Sequence, residues 1–203
     1  MPVRASTAAV TGQQAPLTCF LGGGAGYQAT NASNSNFLGY YAGSYATNAF
    51  NSNFLGNSAG FQATNAYNSI FIGSSAGNQA TNAYNSNFLG VNAGQQATSA
   101  SFSNLFGYNV GSKTPSGNGI GQNNIIIGTN ITLEDDRSNS INIGGILFGT
   151  GSYNDTLSAV FSGSADGKIG INKPLPEATL DVSRSEEHTS ELQSHHDLVC
   201  RLL

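Results

Sequence analysis

Charged residues are missing from a long tract of this sequence: between Arg4 and Lys113 there is not one Asp, Glu, Lys or Arg. A free-standing domain normally needs a charged surface to stay soluble, so this tract is not typical of an isolated globular monomer. Only 9% of all residues are charged, and the net charge of −4 is small. Because the chain has no basic patch, it lacks the electrostatic signature of a nucleic-acid-binding protein, and we expect no nucleic-acid partner.

Cysteines and long apolar runs are also scarce. The two cysteines, Cys19 and Cys200, are too few for a disulfide framework. No run of about 18 apolar residues occurs, so we expect no membrane insertion. The first residues show no continuous apolar core after Arg4, and no signal peptide is predicted.

The abundant residues, Gly, Asn, Ser, Ala and Thr, form a repeat of 17 residues with the consensus N-S-N-F-L-G-x-x-A-G-x-x-A-T-N-A-aromatic. Its apolar residues recur at fixed places, which favours an ordered fold over a disordered polar tract. Five triplets of Phe, Leu or Ile, and Gly mark the repeat, and they begin at Phe20, Phe37, Phe54, Phe71 and Phe88.

The same pattern divides the whole chain. A degraded copy follows at 102–107, and the pattern returns at 124–128 and 139–144 after an insertion rich in Gly and Ser. We predict a poorly ordered lead-in at 1–19, a regular repeat at 20–111, an insertion loop at 112–123, degenerate repeats at 124–150, a neck at 151–183 and a foreign tail at 184–203.

A 17-residue unit with two Gly predicts short strands and tight turns, because helical repeats need about 33 residues or more. At ~3.3 Å per residue, the unit is long enough for one narrow coil. Coils stacked ~4.8 Å apart through parallel hydrogen bonds place identical side chains in ladders, in which Asn amides bond to one another. The predicted fold class is all-β, a parallel β-solenoid of 17-residue coils.

Pleat alternation puts neighbouring residues of each strand on opposite faces. Ile70 replaces the consensus Asn, and Ile125 repeats that choice, so we predict that this position and the Leu/Ile position two residues later face the interior. The intervening Phe would then form an exposed ridge, which normally marks an interface and which a closed homo-oligomer would cover. The predicted coil interior is Leu38, Leu55, Ile70, Ile72, Leu89, Ile125 and Ile127, and the predicted oligomer interface is Phe37, Phe54, Phe71 and Phe88.

The phrase N-S-x-F-[L/I]-G-x-x-A-G resembles the repeats of bacteriophage tail fibres and, with Phe in place of Ala, the head repeats of trimeric bacterial adhesins. This resemblance covers about residues 20–150 and implies a trimer of left-handed parallel β-rolls. The segment from Gly167 to Val182 resembles an element that often precedes a self-cleaving chaperone in such fibres, with Asn172 where that element usually has Gly. None of the chaperone's Ser-based machinery maps onto this chain.

The last 20 residues, beginning R-S-E-E-H-T-S-E-L-Q-S-H, resemble the conceptual translation of a sequencing-library adapter. We therefore expect residues 184–203 to be foreign to the fold and the natural chain to continue past Ser183. The alternative interpretation is a metal cluster of His188, His195, His196 and Cys200.

Other candidate sites are weak. The acidic residues Glu134, Asp135 and Asp136 suit either a Ca²⁺ site or a solvated loop. The run 24–29 fits G-x-G-x-x-A but lacks a following helix and a ribose-binding acid. Asp155, Asp166 and Asp181 have no His or Lys partner suggestive of general acid–base catalysis, so we predict no catalytic, cofactor or metal residue. Seven tyrosines either bind sugars by stacking or only pack against neighbouring coils or chains: Tyr27, Tyr40, Tyr41, Tyr45, Tyr67, Tyr84 and Tyr108.

The leading functional hypothesis is a structural and receptor-binding fibre segment, not an enzyme, that attaches a virion to a host surface. Its predicted partners are two further copies of itself, as a homotrimer, and a host receptor or glycan. A bacterial cell-surface trimeric adhesin is the alternative. Less favoured are a carbohydrate-degrading fibre enzyme and an ice-binding protein acting through Thr30, Thr47, Thr64, Thr81 and Thr98.

Overall fold

The computed structural model describes residues 18–112, 119–151 and 166–183. Within those ranges it contains eleven short β-strands and no helix, and all the strands belong to one sheet in which each pairs with the next along the chain. The strands are β1 Cys19–Leu21, β2 Asn36–Leu38, β3 Asn53–Leu55, β4 Ile70–Ile72, β5 Asn87–Leu89, β6 Asn104–Phe106, β7 Ile125–Ile127, β8 Ser140–Ile143, β9 Leu147–Thr150, β10 Lys168–Ile171 and β11 Leu180–Val182.

The predicted all-β parallel β-solenoid is confirmed, with about seven turns spaced by about 17 residues. The hand of the coil and the number of assembled chains stay predictions. Nearly all of the predicted lead-in, residues 113–118 of the insertion loop, residues 152–165 of the neck and the whole tail, with its three His and Cys200, lie outside the described residues.

Strands β1 to β8 stack in parallel, so that Phe54 pairs with Phe37 before it and with Phe71 after it. The sheet then changes direction, because β9 pairs antiparallel with both β8 and β10, while β11 runs parallel to β10. The β8–β9 turn contains Gly144 and Gly145, both at positive φ, as tight hairpin turns require. The solenoid therefore ends in a hairpin that the neck strands extend.

The interior of the regular coils is a single stack of rings. In β2 to β7 the middle residue of the strand is buried, and Phe37, Phe54, Phe71 and Phe88 are fully buried. Successive rings are nearly parallel, with centroids 4.6 to 4.8 Å apart. Three small residues of each coil complete the buried core, for example Ala59, Ala63 and Ala66. One large side chain and three alanines fill the width of one coil.

This arrangement reverses the predicted faces. The four Phe residues are interior packing and not an exposed ridge, so the prediction of an interface at Phe37, Phe54, Phe71 and Phe88 is wrong. The predicted interior positions point outward, because the thin coil holds only one row of strand side chains and the phenyl rings occupy it. Ile70, Ile72 and Ile127 are 38 to 40% exposed, and Leu38, Leu55, Leu89 and Ile125 are half-buried.

The corners of each coil depend on left-handed backbone. In the third coil Ser58, Gln62, Asn65 and Asn68 have φ between 49° and 55°, and the neighbouring coils repeat this pattern. Each of these residues donates its N–H to a carbonyl of the coil before it, as Ser58 does to Tyr40 at 2.8 Å. Asn tolerates this conformation better than most residues, which explains the high Asn content of the repeat.

A buried Ser column satisfies polar groups inside the coil. Ser52 Oγ donates to the carbonyl of Ala66 at 2.7 Å and accepts the N–H of Ser69 at 3.2 Å. In the seventh coil Asn124 replaces this Ser, and its amide donates to the carbonyls of Gly121 and Arg137 at 2.8 and 2.7 Å. The larger side chain bridges a longer loop, so the stack continues past the insertion.

Candidate interaction surfaces

The outer face of the sheet carries one uninterrupted apolar row. The third residue of β1 to β7 and the residues in register with it on β8 to β11 are all Leu, Ile, Val or Phe, although the strands change direction twice. We call this set the outer row: Leu21, Leu38, Leu55, Ile72, Leu89, Phe106, Ile127, Ile143, Leu147, Ile171 and Val182.

These side chains remain accessible in the single chain. Seven of the eleven are exposed by between 37 and 48% of their area, and the other four are half-buried. Eleven strands at ~4.8 Å spacing make the row about 50 Å long. A continuous apolar strip of this length is unusual on a monomeric surface.

A second row runs beside it, two residues earlier on β1 to β8, β10 and β11, and Gly149 holds the corresponding position on the antiparallel β9. It alternates between Asn pairs and apolar residues: Asn36 donates to Asn53 and Asn87 donates to Asn104, each at 2.8 Å. Ile70, at 38% exposure, interrupts the Asn column, and Ile169 and Leu180 extend the apolar part into the neck. The outer face is therefore only two side chains wide.

In the described coils 18–112 the other faces are mostly polar and carry no charge. Asn31, Asn48, Asn65 and Asn82 form a hydrogen-bonded column with distances of 2.8 to 2.9 Å, and Gln62, Gln79 and Gln96 form another. The Thr rank named in the ice-binding alternative stands in register through parallel bridges. It is a single rank of Thr, preceded in each coil by Ala and followed by Asn, except that Ser99 follows Thr98.

An aromatic cluster breaks this polar pattern near the first coils. Its members are Tyr27, Tyr40, Tyr41, Tyr45 and Phe61, which pack edge to face with ring centroids 4.3 to 6.4 Å apart. A hydrogen bond and a charge interaction with Tyr41, followed by partial burial, raise the pKa of Tyr40 above its ordinary value. By contrast, Phe50, Tyr67 and Tyr84 form a regular outer stack with rings 4.9 Å apart.

Charged side chains in the described part gather at the C-terminal end. Arg137 reaches Glu134 at 3.5 Å and donates to Ser140 Oγ at 3.1 Å. In the neck, Lys173 lies 3.7 Å from Glu177 and 3.6 Å from Asp181. The N–H of Glu177, donated to the Asp181 carboxylate at 2.9 Å, is the main reason why the pKa of Asp181 is lowered, and Lys173 adds to it.

The remaining candidate sites for ligands, metals or a membrane are not supported within the described residues. A cleft of about 450 Å³ at the neck is lined by charges of both signs, from Arg137, Asp166, Lys168 and Glu177. The acidic run 134–136 joins no group of three or more potential metal ligands in the described ranges. Among the same residues, no helix has the length and apolar character needed to cross a membrane. The G-x-G-x-x-A run forms an ordinary coil corner.

The outer row contains some of the residues predicted for the interior, namely Leu38, Leu55, Ile72, Leu89 and Ile127. It also contains residues that sequence reasoning missed, including Phe106, Ile143, Leu147 and Val182. The signal that identifies them is strand register. Because β9 runs antiparallel to β8, Leu147 comes into register with Ile143 only in the folded hairpin.

Comparison of this chain with protein-family models, curated proteins and solved structures gives no match.

Proposed function

We propose that this chain is a structural fibre segment that assembles with copies of itself through the outer row and attaches a larger particle to a host surface. The observation that carries the proposal is an eleven-strand apolar row on a solenoid whose described coils 18–112 bear no charged side chain. A neutral, rigid rod with one apolar strip has the properties of a shaft and lacks the charged groups that most catalytic sites use.

The size of the outer row is sufficient for association. The two outer columns together expose on the order of 800 Å² of apolar side chain per chain, which is the area that one partner buries in a standard protein interface. At ~25 cal/mol per Å², removing this area from water supplies a large driving force for assembly. The outer face is also only two side chains wide, which suits convergence of several copies on one axis better than a broad two-chain interface.

The proposed form is a closed assembly of three parallel chains, which the narrow outer face and the resemblance to trimeric fibre repeats support. Three narrow strips facing a common axis exclude water from all copies at once, and closure prevents open-ended aggregation. The corner faces, with their Asn and Gln columns, then form the solvent-facing surface of the fibre. The location that accompanies this function is a virion tail fibre, and the alternative is the surface of a bacterium.

Light scattering on the full chain tests the proposal. We expect a mass of about three chains for the wild type, and a monomer or unstable species for Ile72→Lys, because a charge on the outer row must be desolvated on assembly. The matched control is Gln79→Lys, which adds the same charge to a corner of the same coil and is expected to keep the assembled mass. A monomeric wild-type chain, or equal behaviour of both variants, contradicts the proposal.

A further inference from the structure

The aromatic cluster departs from the repeat in a way that packing of the coil does not require. Where the second coil has Tyr40 and Tyr41, the third has Asn57 and Ser58 with the same backbone. Tyr45 likewise corresponds to Gln62. The backbone of these positions is unchanged, since φ is 54° at both Tyr41 and Ser58. Small polar residues therefore satisfy the fold at these positions, and the fold itself does not require tyrosines there.

The first coil has glycines where the rings of Tyr40 and Tyr41 pack against it. Gly23 and Gly24 occupy the same two corner positions in the first coil, directly below Tyr40 and Tyr41. A side chain at Gly24 would collide with the Tyr41 ring, because its Cβ would lie only 2.7 Å from Cδ1. A Cβ at Gly23 would lie 3.3 Å from the Tyr40 ring. Glycines below and tyrosines above thus form one arrangement, which occurs once in the described coils.

The neighbouring coils complete the cluster. The buried Ser44 separates Tyr27 from Phe61, which hold the same position one coil before and one coil after it. Tyr45 contacts both of these rings edge to face, at centroid distances of 5.5 and 5.8 Å. The four tyrosines stay accessible, from 36% for Tyr41 to 57% for Tyr40. The rings support one another and leave phenol groups and ring surface open to solvent.

We propose that this cluster binds neutral sugar units of a host-surface polysaccharide; this assignment rests on the proposed function and names the receptor class of the fibre. Tyr rings offer flat apolar surface to the C–H faces of a pyranose, and phenol hydroxyls pair with sugar hydroxyls. Gln28 and Gln62 add amide groups at the same corner, and the Gln28 amide already donates to the Tyr27 hydroxyl at 3.4 Å.

The lack of charge selects the ligand class. No Lys, Arg or His is present in the described coils 18–112, so an acidic sugar or an acidic peptide gains no ion pair there. Desolvating such a ligand without a counter-charge is costly. A neutral sugar loses no ion pair and finds hydroxyl and amide partners. In an assembly of several copies, each chain presents one cluster, and polyvalent binding to a repeating polysaccharide raises the overall affinity.

The test is binding of the full chain to immobilised neutral hexose and N-acetylhexosamine oligosaccharides, with sialylated and sulfated oligosaccharides beside them. The test variant combines Tyr40→Asn, Tyr41→Ser and Tyr45→Gln, which copies the residues of the third coil and should preserve the fold. The control variant combines Tyr67→Ser and Tyr84→Ser, which copies Ser33 of the first coil into the regular outer stack.

We expect wild type and control to bind neutral oligosaccharides and the test variant to lose at least tenfold in affinity. No binding of neutral sugars, preference for acidic ones, equal binding by the test variant, or binding only to a host-surface protein overturns the inference. Light scattering on the same samples separates the two ideas: an assembled chain that binds no sugar contradicts only this inference, and a monomer that binds sugar contradicts only the assembly.

Discussion

At the scale of the residue, the fold depends on which side chain of each three-residue strand points inward. Phe71 has no exposed area, and its ring stacks between those of Phe54 and Phe88 at 4.8 and 4.6 Å. Its neighbour Ile72 is 40% exposed on the outer row. The larger aromatic side chain therefore stabilises the coil from inside, whereas the aliphatic one is available for a partner.

This difference predicts opposite results for two neighbouring substitutions. Phe71→Ala should lower the free energy of unfolding by about 3–5 kcal/mol, because it removes a buried ring and leaves a cavity in the stack. Ile72→Ala should change the stability of the isolated chain by less than about 1 kcal/mol. Urea unfolding under conditions that keep the chain monomeric measures both. A larger loss for Ile72→Ala would restore the face assignment that the sequence suggested.

The sequence predicted the repeat and its strands correctly but not the direction of the side chains. Ile in place of Asn at position 70 suggests an interior substitution, and the Phe that recurs in every regular copy suggests a ridge. The reason lies outside the strand: Ala59, Ala63 and Ala66 on the coil's other segments leave room for one ring per coil. The left-handed corner residues determine which face of the strand packs against those alanines. The alternation of residues along the strand does not predict that choice.

At the scale of the element, the unit of this structure is one coil. Each coil contacts the coils before and after it, as expected for a solenoid in which stability sums over repeats and their interfaces. Hydrogen bonds between the same positions recur along the stack, such as the Asn amides of the column from Asn31 to Asn82. A whole coil is therefore interchangeable, whereas part of a coil is not.

Deleting residues 70–86 removes one complete coil and joins Ser69 to Asn87. We expect the shortened chain to fold with the same circular dichroism signature, since Phe54 then stacks on Phe88 and every column keeps its register. Deleting only residues 70–77 leaves nine residues where a coil needs 17, so this control should be unfolded or aggregated. Equal folding of both deletion variants contradicts the stacked-coil account.

The coils and the neck should also respond differently to acid. The coils between Arg4 and Lys113 contain no Asp or Glu, so their stability should be flat from about pH 3 to pH 8. The pKa of Asp181 in the neck is lowered, chiefly by the N–H of Glu177. Its stabilising effect is thus fully present above the ordinary Asp value of ~3.9 and is lost as pH falls through the lower folded value.

Amide chemical shifts across this pH range check the contrast. The Glu177 amide should move as Asp181 takes up its proton, and the Asp181→Asn variant should lack this movement. Amides of the coils should stay in place over the same range. An acid-induced change spread over the coils, or a Glu177 amide that does not titrate, would show that this account of the charges is wrong.

At the scale of the whole molecule, the solenoid is neutral along its described coils, has one apolar strip and carries its charges near the C-terminal hairpin. The outer row crosses from parallel coils into the antiparallel hairpin and the neck without a polar interruption. Two different kinds of strand pairing therefore maintain the same row along the whole sheet. The proposed shaft assembles along that row and presents its corners, with the aromatic cluster, to a host surface.

We propose that copies of this chain meet along the outer row. Parallel copies about one axis bring the same outer-row residue of each copy together. In a background with Cys19→Ser and Cys200→Ser, oxidation of an Ile72→Cys variant should therefore give an interchain disulfide, visible as a dimer on a non-reducing gel. A Gln79→Cys variant, on a corner of the same coil, should stay unlinked. No crosslink at position 72, or equal crosslinking at position 79, contradicts the claim.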